Sequence, residues 1–118
     1  MIAIGAGSLV IVHLSQPSEK LWGVLVRLAA EGVTLRGISV SSFDDWARGV
    51  ARSEPTLGLV TTFVPLFRVE RIFLDEQVGE VESYGQRFRR MVGGPVEEYL
   101  GLTGAHGGGS GDDGGLVS

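Results

Sequence analysis

Apolar residues in this chain come in short runs broken by polar turns, and most of the runs alternate or are apolar on both faces. Ser8–Leu14, "SLVIVHL", is β-branched and apolar on both faces, which predicts a buried strand. The polar turn "SQPSEK" follows, with Pro17 inside it. Leu21–Leu28, "LWGVLVRL", predicts a second strand, with Trp22, Val24, Val26 and Leu28 on one face. After "AAEG", Val33–Val40 predicts a third strand, with a bend or bulge at Gly37. Leu57–Val64, "LGLVTTFV", predicts a fourth, and "VERIFLDE" (69–76) a fifth, with Ile72 and Leu74 inward and Phe73 outward. Pro65 between them removes a ladder donor, so Thr61–Glu76 is expected to break at a bend or 3₁₀ turn near Pro65–Phe67.

Twice the period changes to that of a helix. In "SSFDDWARGVAR", Phe43, Trp46, Ala47 and Val50 fall at i, i+3, i+4 and i+7, one apolar helix face. Ser42 is the expected N-cap, Asp44 and Asp45 suit the first turn, and Arg48 is spaced to pair with Asp44. A second helix is expected over about 78–92, with Val81, Tyr84, Phe88, Met91 and Val92 as its stripe and Gly93–Gly94 as its stop. Pro95 opens a short helical turn through Tyr99, Leu100 and Leu102. Residues 1–102 read as one domain; 103–118 are Gly-rich and acidic and bury too little apolar surface to order themselves.

Composition narrows the picture. The chain has 118 residues, 43% hydrophobic and 20% charged, with net charge −4 and no cysteine. One globular domain is expected, and disulfides, thiolate nucleophiles and Cys-based metal sites are excluded. An acidic balance argues against a broad duplex-DNA surface. The opening "MIAIGAGSLVIVHL" carries no Lys or Arg ahead of its apolar run and is interrupted by Gly, so neither a secretory signal nor a membrane span is expected, and the location expected is cytoplasmic.

Five strands with short connections, a helix after the third and a helix near the end make a mainly β protein: a small, bent, incompletely closed antiparallel barrel. From about Ser8 to Glu76, the Gly-apolar-x-apolar pattern of strands two and three and the turn back through "FVPLFRVERI" resemble Sm-like small barrels. That resemblance implies rings of subunits joined edge to edge and single-stranded RNA as a ligand. Sm-like proteins carry an Asp-x-x-x-Asn element after the third strand where nucleobases bind. Here that place reads "ISVSSFDDW", without the Asn, which counts against RNA at that position. The stretches around "ISVSSFDDW" and "FVPLFRVERI" also resemble a bacterial protein family of undetermined role, which implies no function.

Few residues suggest chemistry. Arg68 and Arg71 form an Arg-x-x-Arg pair suited to a phosphate or carboxylate, weighed against ion pairing with Glu70 or Asp75. Arg87, Arg89 and Arg90 in "QRFRRM" make the densest cationic stretch, a possible anion or RNA contact weighed against a solvated helix end. Asp44, Asp45, Asp75, Glu76, Glu80 and Glu82 read as helix-start acids before metal ligands or acid–base groups. His13 reads as a structural histidine, and His106 has no metal-spaced partners. Neither "GAGS" nor "GGGSG" opens a helix with a Lys, and Ser8, Ser15, Ser39 and Ser41 lack a nucleophile elbow.

The expectation is therefore a non-enzymatic module without cofactor or metal, whose first partner is itself and whose second is RNA. The uncharged "LGLVTTFV" and the fifth strand are the expected pairing edges, with Leu59, Thr61, Phe63 and Phe73 at the interface.

Overall fold

The computed structural model describes residues 3–55 and 58–101. Five strands, β1 (Leu9–Leu14), β2 (Glu19–Leu28), β3 (Gly32–Ser39), β4 (Val60–Pro65) and β5 (Val69–Leu74), form one antiparallel sheet. Its order is β4-β3-β2-β1-β5, so β4 and β5 are its two edges and the sheet is not closed by hydrogen bonds between them. Helix α1 (Phe43–Ala51) follows β3 through a 3₁₀ turn at Val40–Ser42, and helix α2 (Tyr84–Val92) follows β5. The fold is mainly β with two helices, in the expected order, and is compatible with a small barrel.

Both faces of the sheet are apolar, and each is covered differently. On one face, Trp22 and Val24 pack with Phe43, Trp46 and Ala47 of α1, Phe88 of α2, and Leu59, Val96 and Leu100. On the other, Val10, Val12, Leu14, Leu25, Val33, Leu35 and Val64 are buried together with Val69, Ile72 and Leu74. That second cluster draws side chains from all five strands and none from a helix. A face this well buried without a covering layer must be covered by the sheet curling on itself, which brings the inward side chains of the edges β4 and β5 into one core.

The curl needs glycine at one crossing. Gly23 and Gly37 face each other in the β2–β3 ladder. A Cβ at Gly23 would come within 2.6 Å of the Gly37 Cα, and nearer still to the Arg36 carbonyl oxygen. Gly37 is therefore a site of close approach, and the β2–β3 register shift expected there lies instead between Leu25 and Arg27. The shift ends the alternation predicted for β2, and Val26 and Leu28 are exposed rather than continuing the Trp22 face.

Several boundaries differ from the sequence reading for local reasons. α2 begins at Tyr84, not near Val78, because Ser83 caps it: its Oγ accepts the Gln86 N–H at 3.0 Å and its own N–H donates to Gln86 Oε1 at 2.7 Å. Val78 and Val81 instead bond each other across a tight turn through Gly79, at φ 59°, and both are exposed. The apolar stripe of α2 is thus Tyr84, Phe88, Met91 and Val92 without Val81. Ser42 makes no capping bond, since it ends the 3₁₀ turn whose own cap is Ser39. The break after β4 falls at Leu66–Arg68 as a 3₁₀ turn, one residue later than the expected Pro65–Phe67. Leu57 lies outside the described residues, and β4 starts at Val60, so Leu59 precedes the strand.

Candidate assembly edges and charged surface

Among the described residues, the backbone groups on the outer sides of β4 and β5 have no strand partner. The residues expected at an interface split along the pleat. Register pairing of Thr34 with Phe63 and Arg36 with Thr61 places Phe63 and Thr61 on the face of β4 that carries no core side chain. Phe63 lies over Gly32 and remains 55% exposed. Thr61 Oγ1 accepts a bond from Arg36 Nη1 at 3.4 Å. Phe73 pairs with Ile11 on the corresponding face of β5 and is 42% exposed. Leu59 is different: it is buried among the helix-side core residues and offers no surface to a partner.

Two features of this region were not legible in the sequence. Phe67, in the 3₁₀ turn between the edges, is 85% exposed. Beside β4, a groove of about 320 Å³ is lined by Leu14, Leu21, Leu35, Val60, Thr62 and Val64, with Gly37 among its walls and Glu19 and Arg68 at its polar part. The groove exists because the inward positions there are occupied by Gly37, Ser39 and Thr62, too small to fill the curl. Only the register reveals that these positions share one face.

The candidate cations have different fates. Arg68 is structural: Nε donates to the Ser15 carbonyl at 3.1 Å and Nη2 to the Pro17 carbonyl at 2.8 Å, tying the β4–β5 turn to the β1–β2 turn. Arg87 Nη1 donates to Asp44 Oδ1 at 3.1 Å and its Nε to Glu82 at 3.3 Å, while Arg90 Nη2 donates to Glu82 at 2.6 Å. The bonds from Arg90, and then Arg87, hold the Glu82 carboxyl below its ordinary value. Two of the three cations of "QRFRRM" are thus already balanced by acids of their own chain; Arg89 is exposed on the helix. Asp44 pairs with Arg87, and Arg48 pairs with Asp45 at 3.4 Å rather than with Asp44.

A third arrangement comes from register alone. His13 stands opposite Lys20 on β2 and Arg71 on β5, so these three side chains form one row across the sheet. Phe73, two residues along β5, meets the His13 ring edge-on at 4.9 Å, and the Arg71 guanidinium lies 5.9 Å from its centroid. Glu70 adds an opposing charge beside this row, 3.6 Å from Arg71. Burial first, and then Lys20 and Arg71, push the His13 pKa below its ordinary 6.5.

Of the acids, Asp75 is a structural acceptor for α2. Glu76 and Glu80 are exposed. Among the described residues, no group of three or more His, Asp and Glu side chains is placed to hold a metal ion. His106, Asp112 and Asp113 lie outside the described residues. Among the described residues, no helix is long and apolar enough to cross a membrane. No protein-family model matches the chain, and neither a curated protein nor a solved structure does so.

Proposed function

We propose that the protein is a non-enzymatic module that assembles with copies of itself, β4 of one subunit pairing with β5 of the next, into a ring- or filament-forming scaffold of the Sm-like kind. The observation that carries this reading is the open sheet: its two edge strands lie at opposite ends of the hydrogen-bonded order, with exposed Phe63 on one and Phe73 on the other. Unpaired strand edges flanked by apolar side chains favour strand addition. An edge that pairs with a different edge makes a head-to-tail contact, which closes as a ring or continues as a filament. A cytoplasmic setting belongs to the same proposal and rests on the sequence.

Light scattering at micromolar concentration, with and without nuclease, tests it. A mass of several subunits in both conditions is expected, and Phe63→Lys should lower it by charging the β4 edge. A concentration-independent monomer mass would overturn the proposal.

A second reading is single-stranded RNA binding, and the row Lys20–His13–Arg71 beside Phe73 favours it. Cations with an adjacent exposed ring match the phosphate-plus-stacking pattern of single-strand binding. This reading places the contact on the sheet rather than on Arg87 and Arg90, which are engaged elsewhere. Binding of oligo-U that weakens with salt and with Arg71→Gln is expected; equal binding by the variant removes this site.

A further inference from the structure

The row Lys20–His13–Arg71 is a single row deep on its face of the sheet. Towards the helices, the next positions on that face are Ile11 and Trp22; Trp22 is fully buried against α1, and Ile11 packs on the same core. In the other direction β1 ends at Leu14 and β2 begins at Glu19, so the strands run into their turn. Lys20 and Arg71 stand two strand spacings apart, about 10 Å at the backbone. Their long stems can close that gap above the shorter imidazole. Phe73 bounds the row at the β5 edge, with part of its ring open to solvent.

The charges of the row do not cancel. Lys20 and Arg71 each bring a positive charge and Glu70 one negative charge, so the row is singly positive with His13 neutral and doubly positive with His13 protonated. The Arg71 and Glu70 side chains are both more than half exposed, and their one contact at 3.6 Å is a weak surface pair. Among the described residues Lys20 makes no ion pair. Its neighbour Glu19 alternates to the opposite face and lines the groove beside β4.

We propose that this row and Phe73 form a site for a nucleotide phosphate monoester, free or at the end of a strand: Lys20 and Arg71 grip the phosphate, His13 takes a proton from solvent as the ligand binds, and Phe73 stacks on the base. The proposal rests on the single-strand reading for its surface and narrows the ligand from any strand to a phosphorylated end or a free nucleotide. A monoester carries up to two negative charges, with a second pKa of about 6, and matches the protonated row. An internal phosphodiester carries only one. A single row also has room for one phosphate rather than for a backbone of several. The charged groups facing His13 are Lys20 from β2 and Arg71 and Glu70 from β5. The two cations oppose its proton in the free protein; a bound anion offsets them, so binding and protonation favour each other.

Isothermal titration calorimetry on the full-length chain compares uridine 5′-monophosphate, uridine, inorganic phosphate, and oligo-U with a 5′-phosphate or a 5′-hydroxyl. The monophosphate is expected to bind at least about fivefold more tightly than uridine, and phosphorylated oligo-U at least about fivefold more tightly than the hydroxyl form, from the added charge contacts near the surface. Affinity for the monophosphate should rise as pH falls from about 8 to about 6.5, by at most about tenfold per pH unit for one proton taken up. His13→Gln should flatten that rise. An NMR titration of the parent imidazole, which needs no variant, should show the monophosphate raising the His13 midpoint. Equal binding of the two oligo-U forms overturns the inference and leaves the single-strand reading standing. Binding of the monophosphate without either oligo-U supports the site and removes the single-strand reading. Inorganic phosphate binding as tightly as the monophosphate, or an unmoved His13 midpoint, overturns the site as stated. No binding of any probe overturns both.

Discussion

Asp75 Oδ2 accepts the indole N–H of Trp22 at 3.1 Å, joining the end of an edge strand to a fully buried ring of the helix-side core. The same carboxylate accepts the Tyr84 and Gly85 backbone N–H groups at 2.8 and 2.9 Å. Three donors on β2 and the first turn of α2 thus converge on one residue just beyond β5. The arrangement satisfies helix-start N–H groups and a buried indole together. Asp75→Ala is expected to destabilise the fold by about 1–3 kcal/mol, the cost of leaving a buried donor unpaired. Asp75→Asn, which keeps an acceptor, should cost less. Denaturant unfolding followed by tryptophan fluorescence measures both; equal midpoints for Asp75→Ala and the parent would contradict this role.

Trp46 is the centre of the aromatic cluster. Its ring lies 5.1 Å from Phe88, 5.7 Å from Trp22 and 5.8 Å from Phe43, centroid to centroid. Trp46→Ala should destabilise by about 3–5 kcal/mol, because this ring of α1 fills the space between Trp22 of β2 and Phe88 of α2, and its loss leaves a void there. Chemical denaturation checks it, and an unchanged midpoint would mean that the helices do not hold to the sheet through this residue.

At the β2–β3 crossing, a single methyl group is expected to have a large effect. Gly37→Ala places a Cβ 2.7 Å from the Gly23 Cα, against backbone that cannot rotate away. A loss of about 1–3 kcal/mol or more is expected from overpacking. Thermal unfolding of the variant is the measurement; wild-type stability would show that the strands can part without cost.

His13 gives the fold a pH dependence of definite sign. Its folded pKa lies below the ordinary 6.5, so the unfolded chain takes up the proton first as pH falls. Stability is therefore highest, for this group, above about pH 6.5, and declines as pH drops towards the folded pKa. Three charged groups face it: Lys20, Arg71 and Glu70. An NMR titration of the imidazole should give a midpoint below 6.5, and Lys20→Gln should raise it. A midpoint above 6.5 would refute the stated balance.

Glu82 should behave in the acid range as a depressed carboxylate. Its contribution is present above about pH 4.5 and is lost as pH falls through its lower folded value. Arg90→Gln should raise the Glu82 midpoint more than Arg87→Gln, in line with the 2.6 Å bond from Arg90. Carboxyl-carbon NMR reads this, and an equal effect of the two variants would remove Arg90 from its leading position.

The order of strands and helices was written in local pattern. Two-residue alternation marked the strands, the spacing Phe43–Trp46–Ala47–Val50 marked α1, and Pro65 marked the break between the edge strands. Those signals are local because steric and hydrogen-bonding limits act over a few residues. Tertiary structure alone decided which residues share a face across strands. The row Lys20–His13–Arg71, the groove beside β4 and the burial of Leu59 each depend on pairing between segments far apart in sequence. The same holds for Arg87, which the sequence shows only as part of a basic run and the fold sets against Asp44 of α1. Charges read along a chain carry no information about the acids that packing brings beside them, because a guanidinium bonds whatever carboxylate lies within about 3 Å. Sequence pattern therefore determined the elements, while register and packing determined which surfaces remain open for function.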